Sequence, residues 1–539
     1  MEFKYETSYS GSEELNNFRD LVNMCAERNP QGVAFQWIEN QKIKEKTYDQ
    51  FRADINALGT YFYYNGFKGD TIAVIGENSY NWILTYFATV VGGNVIVPVD
   101  RDLKPEAIIN VLKDSGAKVL VYTNSYTKNI ETIRKAAGVT VINVTELGVL
   151  IDKGRELLAK GKTKYLAADI KDKEMCAIIY TSGTTGTPKG VMLSQYGILQ
   201  NGASAIRMAS AAITGKSMLV LPIHHTFGFD AGVVAVLYFG STIAINTSLR
   251  TFLPELQIFK PQNVFVVPMF IDAMYKKIMK NVEDKKIMPL FKAMLKTSKG
   301  MRKIGIDKRR TLFKSVHEAF GGNLDCIICG GAALDPAHCE FFDGIGISLL
   351  NGYGITECSP IVSVNPVEDN RAGSVGKRLD VNEVKIINPS EDGNGEICVR
   401  GANVMIGYYK NKKATAEVLD EDGWFRTGDL GHVTDDYLYI SGRQKNLIIL
   451  NNGKNIYPEE IEELILRIPE AIEAVVYCED EEITAEIYTE DIEAVKKAVR
   501  ELNRTLPVYK HIQKMKFRDT EFEKTTTKKI KRNLVIPKN

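Results

Sequence analysis

Little in this chain is out of balance. Its 68 Lys and Arg meet 67 Asp and Glu, a formal net charge of +1, so no excess of one sign points to nucleic acid. Eight Cys in 539 residues make no disulfide-rich framework, and a chain of this length needs none to hold a core. Reduced thiols and a cytoplasmic protein are the expectation. The first ten residues lack the apolar segment of a secretion signal. One stretch, 81–99, carries no charge and is long enough to raise the question of a membrane span. Gly92, Gly93, Asn94 and Pro98 interrupt it, so it reads as a buried helix ending near Val91 and a buried strand at 95–97. A fixed-period repeat and a low-complexity tract are also missing.

What is present is an alternation. Short β-branched runs at 71–75, 118–122, 139–144, 217–221, 264–267 and 326–329 are spaced by longer amphipathic patterns such as 47–64 and 105–115. That order predicts α/β layers with largely parallel sheets. From 381 to 409 the texture changes to short strands (383–387, 395–400) between Asn-Pro, Asp-Gly and Gly-rich turns, a small β subdomain. Beyond a charged junction at 443–445 lie a helix (458–467), strands (472–478, 484–489) and another helix (492–503), enough for a small α+β core. The expected fold is α/β: a large N-terminal domain (1–442) with that β subdomain, plus a small mobile α+β C-terminal domain (443–539).

The strongest local signal is Thr181-Ser182-Gly183-Thr184-Thr185-Gly186-Thr187-Pro188-Lys189-Gly190, directly after the apolar run 177–180. Glycines let backbone N–H groups approach an anion, the hydroxyls add donors, and Lys189 adds a point charge, a set suited to a polyphosphate. The Gly-x4-Gly-Lys-Ser/Thr spacing of the P-loop is absent; Gly215-Lys216-Ser217 fails it because Ser210 stands where the first glycine should be. The spacing Cys326-x-x-Cys329 has no second pair at zinc spacing, and Ile327-Ile328 favours a core strand. His224-His225 could suggest a metal, but neighbours on a strand face opposite ways, so chelation looks awkward.

The ten-residue string resembles the phosphate-loop motif of the adenylate-forming superfamily, which comprises acyl-CoA synthetases, luciferases and the adenylation domains of peptide synthetases. Further blocks resembling the family's follow in order, so the resemblance spans residues 47–532. It implies ATP bound by Thr181, Ser182, Gly183, Thr184, Thr185, Gly186 and Lys189. In Asn351-Gly352-Tyr353-Gly354-Ile355-Thr356-Glu357 it implies Tyr353 against adenine, Thr356 on the α-phosphate and Glu357 as a Mg²⁺ ligand. Gly331 and Ala332 would also lie against the base; Asp429 would accept the ribose hydroxyls, with Arg443 reaching ribose and phosphate. His225, Phe227 and Gly331 would wall the acid pocket. The tail from Glu523 to Arg532 resembles the family's Pro-Lys-Thr-x-x-Gly-Lys motif, with Glu523 in place of Pro and Lys528 in place of Gly. The alignment makes Lys529 the catalytic lysine, with Lys528 as the alternative. Lys445 aligns with the family's hinge and Gly453 with the thiol tunnel.

The implied activity is an ATP-dependent acid–thiol ligase that works through an acyl-adenylate with Mg²⁺ and coenzyme A. A carrier-domain serine is absent, so the thiol comes from outside, as coenzyme A or a separate acyl carrier protein. Between 271 and 320 there are 14 Lys/Arg against 5 Asp/Glu among apolar residues. That basic stretch reads either as a solvated helical face or as peripheral contact with an anionic membrane. Together with His224-His225-Thr226-Phe227 it looks most like the long-chain fatty acyl-CoA synthetases. Rival readings are an acyl–carrier-protein ligase, a stand-alone enzyme for an amino or aryl acid, and a non-catalytic nucleotide-binding scaffold.

Overall fold

The computed structural model describes residues 15–181, 188–209, 215–450, 454–524 and 530–537. Contacts divide the chain into two compact units, Met1–Glu383 with Val399–Phe425, and Val384–Cys398 with Arg426–Asn539. Residues 426–442 thus group with the tail, upstream of the junction at 443–445 expected from the charge pattern.

The first unit is built on two large sheets. One runs, edge to edge, through Lys377–Arg378, Ile361–Val364, Ser348–Gly354, Cys326–Cys329, Asn263–Val266, Lys216–Leu219, Thr242–Ile245, Val33–Glu39 and Lys42–Thr47. The other runs through Gly407–Tyr408, Lys189–Ser194, Met175–Thr181, Val95–Val99, Thr71–Ile75, Val119–Tyr122 and Thr140–Asn143. Interior pairs are parallel, as the helix–strand alternation predicts, and the antiparallel pairs lie towards the sheet edges.

Local chemistry explains the boundaries of the crossover helices. Tyr48–Tyr64 starts at Thr47, which forms a reciprocal capping box with Gln50. Pro105–Ser115 begins on a proline whose missing N–H costs nothing there, and stops at Gly116 in the left-handed region (φ 69°). The uncharged stretch resolves into the helix Tyr80–Val90 and the strand Val95–Val99. No helix among the described residues is long and apolar enough to cross a membrane.

The strand Cys326–Cys329 is buried along its length, with burial pushing both thiols above their ordinary range. Around it Ile327, Val264, Val266, Phe270, Ile271 and Leu349 pack into one core. The basic stretch forms two long helices, Pro268–Asp284 and Met288–Lys303, that send Ile271, Met274, Ile278 and Phe291 into this core.

The second unit carries an antiparallel ribbon of Phe425–Thr434 with Tyr437–Arg443. Its own core lies between the strands Ala471–Glu479, Glu482–Thr489 and Lys514–Arg518 and the helices Pro458–Leu466 and Ile492–Asn503. Ile461, Ile465, Val476, Ile487, Val495 and Val499 fill it. Each unit buries its own apolar side chains, which is what allows a chain of this length to fold as more than one body.

Candidate active site

The Gly/Thr motif is the connection of a hairpin. Met175–Thr181 pairs antiparallel with Lys189–Ser194, Tyr180 opposite Gly190 and Thr181 opposite Lys189. Ser182, Gly183, Thr184, Thr185, Gly186 and Thr187 lie outside the described residues; Thr181 and Lys189 mark the ends of the loop. Strand pairing therefore sets where the loop leaves the sheet and where Lys189 stands.

Lys189 is half-buried, and its ammonium sits 4.8 Å from the centre of the Tyr408 ring, a cation–π contact. Tyr408 lies on the short strand Gly407–Tyr408, which adds to the outer side of Lys189–Ser194. Its hydroxyl donates to Glu357 Oε1 at 2.9 Å. Burial first, and then the Glu357 carboxylate, push the Tyr408 phenol well above its ordinary range, so it stays a donor. The Met405 N–H donates to the Glu357 carbonyl at 2.8 Å, which ties the same two segments a second time. Lysine, phenol and carboxylate thus form one chain of contacts across three stretches of sequence: 181–194, 356–358 and 405–408. Tyr408 was not among the residues singled out from sequence; the Gly407-Tyr408-Tyr409 run carries no motif of its own, and only the strand pairing reveals it.

Glu357 is 8% exposed, on the 3₁₀ turn Thr356–Cys358. The turn follows Ser348–Gly354, a strand parallel to Cys326–Cys329 with Asn351 beside Cys329. Asn351 donates to the Ser374 carbonyl at 3.2 Å, while its own carbonyl accepts from the Asn365 backbone and side chain, so the strand end is rigidly held. Gly354 packs where a side chain cannot: a Cβ there would stand 2.4 Å from the Pro360 carbonyl oxygen. Gly331 (φ 83°) turns the chain after Cys326–Cys329, and Gly331 and Ala332 are exposed. Parallel pairing brings these two strand ends together, as expected of ligand crevices in such sheets.

An apolar pocket opens at this place. Gly331, Gly352, Tyr353, Gly354 and Phe227 line it, with Ala205, Ala209, Ala231, Ala235 and Phe265. These four alanines are spaced along the helix Gln195–Ala209 and the π-helix Phe227–Ala235. π-Helical turns are uncommon and gather at functional sites. Small side chains on two facing helices leave the space that larger ones would fill.

His225 is not among the residues lining this pocket. His224 and His225 lie on a turn after Lys216–Leu219, not on a strand, and their ring centroids are 4.1 Å apart. The alternation that would send neighbours to opposite faces does not apply there, and the objection to joint ligation falls with it.

In the second unit Asp429 and Arg443 stand directly opposite one another on the ribbon, with Arg443 Nε 2.6 Å from Asp429 Oδ1. Asp429 is 4% exposed, and its N–H donates to Thr427 Oγ1 at 3.0 Å. A buried carboxylate beside a guanidinium suits a pair of vicinal hydroxyls. Lys445 is exposed on the 3₁₀ turn Gln444–Asn446. Partial desolvation, then the cations Arg443 and Arg532, hold its ammonium below the ordinary range. Gly453, Lys528 and Lys529 lie outside the described residues. The residues flanking 525–529 are joined at their base by an antiparallel bridge between Lys524 and Ile530 and by the Lys531 N–H donating to the Glu523 carbonyl at 2.8 Å. Two ion pairs pin that base: Lys524 on Glu473, and Arg532, whose Nη1 is shared between the two Glu462 oxygens at 2.6 and 2.8 Å while Nη2 donates to the Val476 carbonyl at 2.7 Å.

Comparison with known proteins bears on all of this. A long-chain-fatty-acid–CoA ligase of Mycobacterium bovis is 29% identical over 425 residues, covering 74% of this chain and 70% of that one. A chloroplastic long-chain-fatty-acid–[acyl-carrier-protein] ligase of Arabidopsis thaliana is 26% identical, covering 86% and 76%. Among solved structures, an anthranilate CoA ligase in complex with anthranoyl-AMP superposes with a TM-score of 0.78 at 19% identity, covering 96% of each chain. The family model of AMP-binding enzymes matches residues 22–409, a span that holds the hairpin loop, Glu357 and Tyr408. The chain belongs to the AMP-binding enzyme family.

Proposed function

We propose that the protein joins a medium- or long-chain fatty acid to coenzyme A in two steps, through an acyl-adenylate. The observation that carries the reading is the contact chain Lys189–Tyr408–Glu357 beside an apolar pocket lined by Tyr353 and Gly331. A polyphosphate needs cations and donors; an alkyl chain needs a dry cleft; here both stand in one unit.

In the first step the acid's carboxylate oxygen attacks the α-phosphorus of ATP, the bond to the β-phosphate oxygen breaks, and pyrophosphate leaves. Both reactants are anions, so repulsion is the barrier and charge placement is the remedy. Lys189, the loop donors from Thr181 to Gly186 and Thr356 spread the phosphate charge, and Lys529 bridges carboxylate and phosphate. Positioning dominates over acid–base work, as in other phosphoryl transfers.

Mg²⁺ fits the site's chemistry: Glu357 offers a buried, hard oxygen donor, oriented by the Tyr408 hydroxyl. The ion, held there, would offset charge on the phosphate oxygens. Tyr353, Gly331, Ala332, Asn351, Gly352 and Gly354 serve the base, and Asp429 with Arg443 serves the ribose. In the second step a thiolate attacks the acyl carbon and AMP departs. Hinge motion at Lys445 exchanges Lys529 for the Gly453 segment between the steps, and 443–539 is the moving domain.

The names of the relatives favour a long-chain acid, and four alanines in the pocket wall agree with an alkyl tail. Coenzyme A is the proposed acceptor; the Arabidopsis relative keeps an acyl carrier protein as the second reading. Peripheral contact with an anionic membrane belongs to the same proposal. Leu290 (58% exposed), Ile304 (72%) and Ile306 stand out among exposed Lys286, Lys299, Lys303 and Lys308. The deciding assay is pyrophosphate release over a panel of acids, with ATP and Mg²⁺, with and without coenzyme A. Release with C8–C18 acids and formation of their CoA thioesters is expected. A signal only with amino or aryl acids overturns the fatty-acid reading, and silence across the panel overturns the ligase.

A further inference from the structure

Two carboxylates of the second unit hold the flanks of residues 525–529, and neither belongs to a motif that the ligase reading uses. Upstream, Glu473 accepts from the Phe522 N–H at 2.8 Å and pairs with the Lys524 ammonium. Downstream, Glu462 pairs with Arg532. Ile530, Val535 and Ile536 pack against Val475, Tyr477 and Phe522. Val475 and Tyr477 share one face of the strand Ala471–Glu479, opposite the face by which Val476 joins the main core of the unit.

The downstream hold is more than an ion pair. Ala471–Glu479 is an outer strand of its three-stranded sheet, so its free edge presents backbone groups that need partners. The Val476 N–H donates to Glu462 Oε1 at 2.6 Å, and the Val476 carbonyl accepts from Arg532 Nη2 at 2.7 Å. Arg532 Nη1 is shared between the two Glu462 oxygens. Carboxylate and guanidinium thus grip both polar groups of one strand residue, and each other, where a further strand would pair. Their side chains are 12% and 17% exposed, so salt screens them little. Burial raises the Glu462 carboxyl to about 7 against the opposing charge of Arg532, so the carboxylate is the main form at about pH 8.

We propose that Glu462 is a positioning residue for the adenylating step: acting through Arg532, it fixes the chain that follows Lys529 to the edge of Ala471–Glu479. The inference rests on the ligase reading and deepens it, because a carboxylate that touches no substrate then sets the rate of one half-reaction only. Glu462→Gln keeps the shape and one acceptor but removes the charge opposite Arg532. The apolar seat of Ile530, Val535 and Ile536 remains, so the unit keeps its fold while the flank loses its fixed place.

The test uses the full chain at about pH 8 and reads the two half-reactions apart: ATP–pyrophosphate exchange with a C12 acid, and thioester formation from preformed acyl-AMP and coenzyme A. A misplacement of about 1 Å can cost about a hundredfold. Glu462→Gln should lower kcat for exchange by about ten- to a hundredfold, with KM for ATP within about twofold and the thioester step unchanged. Arg532→Ala should do the same. The double variant should be no worse than Arg532→Ala alone, because both changes remove one contact. Glu463→Gln, whose carboxylate meets Arg467 at 3.0 Å, should match the wild type. Equal loss in both half-reactions marks a merely structural role and overturns the proposal; so do additive losses, or exchange that neither variant changes. If Glu462→Gln does not fold, Arg532→Ala decides by the same comparison of half-reactions. A wild type silent in both half-reactions overturns the ligase reading itself, whereas a wild type active in both, with variants unaffected, overturns only the role of Glu462.

Discussion

Replacing Tyr408 by Phe removes one oxygen and leaves the ring under Lys189 in place. The hydroxyl donates to Glu357 Oε1 at 2.9 Å, and both groups are buried, at 7% and 8% exposure. A hydrogen bond to a charged partner contributes about 1.5–3 kcal/mol, which is roughly 13- to 160-fold at about 1.36 kcal/mol per tenfold. Loss of a group that orients a metal ligand costs about 10–100-fold in metal affinity or activity, an independent scale that overlaps the first. Y408F should therefore lower kcat/KM for ATP–pyrophosphate exchange by one to two orders of magnitude, and should raise the Mg²⁺ concentration needed for half-maximal rate. Tyr408→Ala also removes the cation–π contact, about 0.5–2 kcal/mol, a further two- to thirtyfold. Thermal melting run in parallel separates loss of activity from loss of fold. Exchange by Y408F within twofold of wild type, with the same Mg²⁺ dependence, would refute the argument that this phenol orients the carboxylate.

Other expectations follow from the same geometry. Lys529→Ala should cut adenylate formation about a hundredfold or more, the scale of losing one preorganised donor, while Lys528→Ala costs far less; the reverse order would move the catalytic role to Lys528. Arg532→Ala frees one side of the loop base from Glu462, so exchange should fall although no substrate contact is lost; unchanged exchange would mean the loop positions itself. Ala231→Phe puts a ring into the apolar pocket, and kcat/KM for C16 acids should drop more than tenfold while C8 acids are spared; an unaltered preference would place the acyl chain elsewhere. Burial holds the Asp230 carboxyl well above its ordinary range, so the folded state keeps a proton that the unfolded chain releases. Its stabilising contribution is full below about pH 4 and is lost as pH rises towards the folded pKa. Asp230→Asn should accordingly raise the melting temperature at pH 8 more than at pH 5, and an equal shift at both would contradict the buried-acid account.

Reading the chain without coordinates located most of the scaffold. The strand at 71–75 and the helices at 105–115 and 492–503 fall where their patterns predict, because apolar period and end signals are local. Thr47 caps its helix through Gln50, three residues away, and Gly116 ends another by its own φ. The candidate site could be proposed from sequence where its residues share one short motif, as in Asn351 to Glu357, of which Gly352, Tyr353 and Gly354 line the apolar pocket. It was not legible at Tyr408, which is 219 residues from Lys189 by number and reaches it only through the pairing of Gly407–Tyr408 with Lys189–Ser194. The placement of His224 and His225 on a strand failed for a related reason: Lys216–Leu219 ends early, and the turn that follows puts the two rings side by side.

Sequence alone determined the family-like order of motifs, the α/β alternation and the candidate phosphate loop, since each depends on residues within a few positions of one another. Only the tertiary structure decided which distant side chains meet. Lys189, Tyr408 and Glu357 join because two strands and a turn converge, and Asp100 meets His224 although the strands that precede them belong to different sheets. Contacts of that kind are written in sheet order, and sheet order is set by the packing of the whole core rather than by any local pattern.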